Sequence, residues 1–125
     1  MSDYLENALI NATLRNTTYT SPTTVYLALF TSDPTDAGTG TQVSGGSYAR
    51  QPITMGVPTN GTSLNTSTIT FSAATTLWGT VTHVGIYDAL TGGNLLYHTP
   101  LTVSKTIDVG DVFTIQAGNL SVNLA

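Results

Sequence analysis

Residues Val25 to Phe30 read Val-Tyr-Leu-Ala-Leu-Phe, a nearly continuous apolar run. It is far too short to cross a membrane, and its length and residue types suit a strand. Successive side chains of a strand point to opposite faces. An apolar residue at every position therefore demands a cover on both faces, as in the central strand of a buried sheet. The rest of the chain has to supply those two covers. With 125 residues, it is long enough to do so as one domain spanning 1–125.

The first cover is legible at the N-terminus, where a helix is expected over residues 2–15. Ser2 or Asp3 can cap it, and Asp3 with Glu6 has capping-box spacing at the end where the helix dipole favours acids. Leu5, Ala8, Leu9 and Ala12 form one apolar face, and Arg15 lies near the favourable C-terminal end. Thr17, Thr18 and Pro22 close the segment.

The second cover must come from further strands. Candidates are Tyr48–Met55, Thr68–Phe71, Val81–Asp88, Leu95–Thr99, Leu101–Ile107, Val112–Gln116 and Leu120–Leu124. Pro52 has no amide donor and demotes its strand to an edge or a bulge. Glycine-bearing turns at Ala89–Asn94 and Asp108–Asp111 join neighbouring candidates. With Val25–Phe30 this makes about eight short strands, and the fold class expected is all-β: an antiparallel, jelly-roll-like sandwich with one N-terminal α-helix. Two segments, 31–47 and Gly56 to Asn65, carry no periodicity and read as loops. A loop as long as 31–47 is uncommon in a small domain unless it has a function.

Composition narrows the function. Charged residues are 8% of the chain, against roughly 25% in an average domain. Thr, Ser, Asn and Gly fill the gap. Such a surface suits identical copies packed closely without repulsion, and it equally suits a secreted β domain with a polar face. The net charge is −4, and the only basic residues are Arg15, Arg50 and Lys105. That leaves no basic patch for phosphate neutralisation, so nucleic-acid binding is excluded as a function class. There is no cysteine, hence no disulfide and no thiolate metal site. No membrane span and no secretory leader are legible, so a chain made in a cytoplasm is expected, soluble or leaving as part of something larger.

Chemistry finds little support in the residues. His83 and His98 fall on strands expected to be neighbours, but strand parity puts Asp88 on the opposite face from His83, against a three-ligand metal site. Ser32–Asp36 lacks the ligand series of a calcium loop and reads as an Asx turn leading into Pro34. There is no Gly-x-Ser-x-Gly elbow, and Gly38–Gly46 contains no Gly-Lys-Ser/Thr. The acids sit mostly at the helix start or in turns, so a paired-carboxylate hydrolase would need two of them to converge by fold alone. The sequons at Asn11, Asn16, Asn60, Asn65 and Asn119 follow from a composition rich in Asn and Thr. No catalytic, cofactor or metal residue is assigned. Trp78 is read as a core plug, with an interface hot spot as the alternative.

Three stretches together resemble a family of small tailed-bacteriophage virion proteins, often labelled tail fibre proteins. They are Thr24 to Tyr48 with the following Ala49-Arg50, Trp78 to Tyr97, and Gly110 to Leu124. The middle one, Trp-Gly-Thr-Val-Thr-His-Val-Gly-Ile-Tyr-Asp-Ala-Leu-Thr-Gly-Gly-Asn-Leu-Leu-Tyr, is the most specific. The resemblance covers nearly the whole chain and implies a virion surface component with no catalytic motif. A short chain without a stalk looks more like a capsid decoration, or cement, protein bound to the major capsid protein, and such shells suggest a homotrimer. The alternative is a tail fibre or baseplate module that binds another tail protein or a host glycan, with Tyr19, Tyr48 or Trp78 as stacking residues. The third reading is a small wall-degrading hydrolase. For partner binding the candidates are Leu5, Leu9 and Arg15 on the helix, Asp33, Asp36 and Val43 in the long loop, and Tyr48 and Trp78.

Overall fold

The computed structural model describes residues 1–124. Its elements run α1 (Asp3–Leu14), β1 (Val25–Phe30), β2 (Gln51–Ile53), β3 (Thr62–Leu64), β4 (Ile69–Thr70), β5 (Gly79–Tyr87), β6 (Leu95–Ile107), β7 (Thr114–Ile115) and β8 (Ser121–Asn123). The apolar run is β1, and it lies inside a four-stranded antiparallel sheet of order β2-β1-β5-β6. Two-stranded antiparallel ladders, β3-β8 and β4-β7, form the opposing layer. The fold is an all-β sandwich with one short N-terminal helix.

Both faces of β1 are buried, as its sequence demands. On one face Leu27 and Leu29 join Val84 and Ile86 from β5. Ile69, Phe71, Phe113 and Leu120 pack against them from the opposing layer. Phe71 centres an aromatic cluster, stacked on Tyr48 at 6.0 Å and edge-on to Trp78 at 6.4 Å and Phe113 at 5.8 Å. Burying a side chain of this size stabilises by about 1.5–3 kcal/mol, so this face carries most of the hydrophobic stabilisation.

The other face holds Ala28, Phe30, Tyr87 and Leu95. Gly85 lies in the middle of it: a Cβ there would come within 2.8 Å of Leu95 Cδ1 and 3.0 Å of Phe30 Cε1. The helix covers this face less than its sequence suggests. Leu5 is its one buried residue, and Ala8, Leu9 and Ala12 are half-buried. Much of the cover comes instead from the long loop, which lays Gly38 against Leu95, and from Arg50, whose guanidinium lies 3.7 Å above the Tyr87 ring.

Three strand expectations need correction. Leu95–Thr99 and Leu101–Ile107 are not separate strands but parts of the 13-residue β6. Pro100 is accommodated because β6 is the outer strand of its sheet, one side of which carries no ladder bonds. Between the pairs Val81↔Lys105 and His83↔Pro100, residues Leu101–Ser104 bulge out opposite Thr82 alone. The segment from Gly56 to Asn65 is not merely a loop, since it contains β3. Asn60 (φ 51°) and Gly61 (φ 78°) form a tight turn, and Thr59 and Thr62 exchange both backbone hydrogen bonds across it. The Tyr48–Met55 strand shrinks to β2, an edge strand as Pro52 requires.

Candidate docking surface

The surface with the most unusual construction is the face built by α1, the 31–47 loop and the outer end of β6. The loop is not free. Thr31 N–H donates to Thr41 O at 2.9 Å and Val43 N–H donates to Leu29 O at 2.9 Å, so its return limb lies along β1. Thr35 N–H donates to Asp33 Oδ1 at 2.8 Å, the Asx turn that the sequence indicates before Pro34. Thr35 has φ 58°, a strained position for a β-branched residue. The turn carries Asp36 to His98 on β6, with Asp36 Oδ1 2.8 Å from His98 Nε2 and Asp33 Oδ1 3.9 Å from Nδ1.

The helix is fastened to this platform by its first residues. Ser2 N–H donates to Leu96 O at 2.9 Å, and Asp3 N–H donates to Asp36 O at 3.0 Å. The Ser2 hydroxyl donates to Leu95 O and accepts the Leu5 N–H, so one buried side chain both caps the helix and ties it to the sheet. Beyond that turn one side of the helix stays half-covered at Ala8, Leu9 and Ala12 while the other side faces solvent. Tyr4, Ile10 and Leu14 are exposed, Leu14 to 79%. A helix of 12 residues is marginal on its own in water, and here it holds a second apolar stripe away from the domain.

Charge is distributed unevenly along this face. One carboxylate oxygen each from Asp3, Glu6 and Asp36 lies within 4.8 Å of the others, all on exposed residues. The helix N-terminus offsets part of that negative charge. Such a trio has the ligand types for a cation; all three residues are exposed, and Asp3 and Asp36 also line a pocket with Tyr4, Tyr87 and Asn94. At the other end of the helix, Arg15 donates to Asn11 Oδ1 at 3.1 Å and makes no ion pair among the described residues.

The eight residues singled out for partner binding separate into two groups. Leu9, Arg15, Asp33 and Asp36 reach this surface. Leu5, Val43 and Trp78 are buried, at 4%, 4% and 5% exposure, and their side chains are spent inside the fold. Tyr48 is largely internal too: its hydroxyl accepts from Leu29 N–H at 3.0 Å and from the Gln42 amide at 2.7 Å. Burial pushes the Tyr48 hydroxyl above its ordinary range, against these two donors and nearby Arg50. Trp78 is the core plug, its Nε1–H donating to Gly46 O at 2.9 Å. His83 and His98 do share a sheet face, but His98 is engaged by the loop acids, His83 Nδ1 lies 2.8 Å from Thr82 Oγ1, and Asp88 accepts from Asn94 in the hairpin turn.

The sequence reading passed over Tyr4, Ile10 and Leu14. Their signal was present: a helix this short needs one apolar stripe, and the residues left after assigning Leu5, Ala8, Leu9 and Ala12 still include three large apolar side chains. A second accessible surface is the free edge of β6, where Thr102 to Thr106 are exposed. Pro100, Lys105 and the Leu101–Ser104 bulge blunt that edge against uncontrolled strand pairing.

No helix among the described residues is long and apolar enough to cross a membrane. No curated protein matches the chain. The family described as "Podophage GP4 fiber I protein gp80" matches residues 1–123, and the chain belongs to this family of phage fibre structural proteins.

Proposed function

We propose that the chain is a fibre subunit on the tail of a short-tailed phage virion, built into the particle through the α1–loop face and acting by contact area rather than by catalysis. The observation that carries this reading is the helix itself, held by its first turn while Tyr4, Ile10 and Leu14 stand in solvent. The family description favours the fibre. The scarcity of charge lets copies stand side by side at little electrostatic cost. Capsid decoration, with the major capsid protein as partner, is the second reading, favoured by the same neutral surface.

The decisive experiment uses particles. Ile10→Glu/Leu14→Glu replaces exposed side chains and leaves the sandwich folded. Quantitative mass spectrometry of purified virions is expected to show its incorporation reduced about tenfold or more. Incorporation at the level of the unaltered chain would refute the docking role of this face. Copy number in the same spectra separates the two locations: a few copies per particle fit a fibre, while several hundred would place the protein on the head.

A further inference from the structure

Arg50 is a buried charge that the chain itself does not neutralise. The residue is 8% exposed. Its Nη1 donates to Ala89 O at 2.9 Å and to Gly92 O at 2.7 Å, and its Nη2 donates to Gln42 Oε1 at 3.0 Å. All of these acceptors are uncharged, as is the Tyr87 ring beneath the guanidinium. No carboxylate comes within 4.0 Å of Arg50 among the described residues, although the chain carries seven acids against three bases. An arginine stays protonated in a protein, and a charge withdrawn from water is costly unless a counter-charge stands beside it. Carbonyl dipoles and a ring face offset only part of that cost.

The guanidinium also has donors left over. Nε has no partner among the described residues, and no side-chain nitrogen shut off from solvent lacks one, so Nε is open to solvent. Arg50 lines a pocket of about 480 Å³, a size suited to a small ligand. Gln42, Ser44 and Gly45 line it from the return limb of the loop, and Thr91 and Gly92 from the turn between β5 and β6. The N–H groups of Ser44, Gly45, Thr91 and Gly92 find no backbone acceptor among the described residues. Ser44 and Thr91 are exposed and add two hydroxyls.

We infer that this pocket binds a sugar acid, its carboxylate on Arg50 and its hydroxyls on the surrounding hydroxyl and amide groups. One positive charge with Nε–H and one Nη2–H unused matches a monoanion with two oxygens. A phosphate brings more charge and more acceptor oxygens than this fork serves. The remaining lining is rich in neutral donors and acceptors, which a polyhydroxylated ring uses and a bare acidic side chain does not. No residue of α1 lines the pocket, so this inference stands or falls separately from the docking role proposed above.

The test is a titration followed in ¹H–¹⁵N spectra of the full chain. Sodium glucuronate is expected to shift the Arg50 Nε–H resonance together with the Gly45, Thr91 and Gly92 amides, with half-saturation at about millimolar concentration. Glucose, which lacks the carboxylate, is expected to bind about tenfold more weakly or less, and sodium acetate, which lacks the ring, several-fold more weakly. Arg50→Gln would also release the β5–β6 turn, so the variant of choice is Ser44→Glu on the exposed loop. It sets a carboxylate of the chain's own at the pocket and should weaken glucuronate binding about tenfold, with circular dichroism showing the fold unchanged. Glucose binding as tightly as glucuronate, or glucuronate moving none of these resonances, would overturn the proposal. Inorganic phosphate binding as tightly as glucuronate would overturn the choice of a sugar acid. If glucuronate fails to bind while Ser44→Glu lowers incorporation into virions, the sugar acid is refuted and the carboxylate that Arg50 meets belongs to a neighbouring virion protein.

Discussion

Asn65 is the residue whose loss should damage the sandwich most for its size. It is 2% exposed and holds three side-chain hydrogen bonds. Its Nδ2 donates to Ser67 O at 2.9 Å and to Gln116 O at 3.1 Å, and its Oδ1 accepts from Leu120 N–H at 2.9 Å. One side chain thus joins the end of β3 to the segment between β7 and β8. Asn65→Ala removes bonds worth about 1 kcal/mol each and leaves the Leu120 N–H buried without a partner, for a total loss of about 3 kcal/mol. Against a stability of about 5–15 kcal/mol, that lowers the midpoint of thermal unfolding by roughly 10–15 °C for a domain of this size. Circular dichroism melts of the two chains measure it. Asn65→Asp adds a pH signature. The carboxylate only accepts, yet it would face the Ser67 and Gln116 carbonyls, so the folded state favours the protonated acid and raises its pKa. Stability of that variant should be greatest below about pH 4, then fall as the pH rises through the raised folded value. A midpoint within about 3 °C of the unaltered chain for Asn65→Ala, or a flat pH profile for Asn65→Asp, would refute this account.

Ser2→Ala removes the helix cap and the tie to Leu95, and should cost about 1–2 kcal/mol with a loss of helical signal at 222 nm that exceeds any loss of strand signal. Tyr48→Phe strands the Leu29 N–H inside the sandwich and should cost about 1–3 kcal/mol in urea unfolding. The same hydroxyl governs alkaline stability. Its raised pKa means the folded state holds the proton more tightly, so stability is intact below about pH 10 and declines as the pH rises further, a decline that Tyr48→Phe should reduce. Thr35→Asn relieves a β-branched residue at φ 58° and should raise the melting temperature by a few degrees, corresponding to about 0.5–1 kcal/mol.

How much of this protein is legible in its residues depends on the range over which each residue acts. Val25–Phe30 could only be a strand covered on both sides, because alternation puts apolar side chains on both faces whatever the partners are. A cap at Ser2 or Asp3 and an edge or bulge at Pro52 follow from backbone chemistry within a few residues, and the structure takes Ser2 and the edge. The Asx turn at Asp33 is equally local. The Asn60–Gly61 turn is local too, but the short β3 beside it has too few residues to show a period.

Other features arise only when distant segments meet. Asn65 carries a sequon in the sequence, yet its partners Gln116 and Leu120 lie more than fifty residues away. Asp33 and Asp36 look like solvent-facing loop acids until the fold sets them beside His98 and the start of α1. Trp78 is read from the sequence as a core plug and Val43 as a loop residue for partner contact, yet both are buried, because the return limb of the loop packs along β1. The exposed stripe of α1 depends on how far the helix lies along the sheet. Three-dimensional packing decides that, because apolar periodicity states which residues prefer cover and not how much cover the rest of the chain provides.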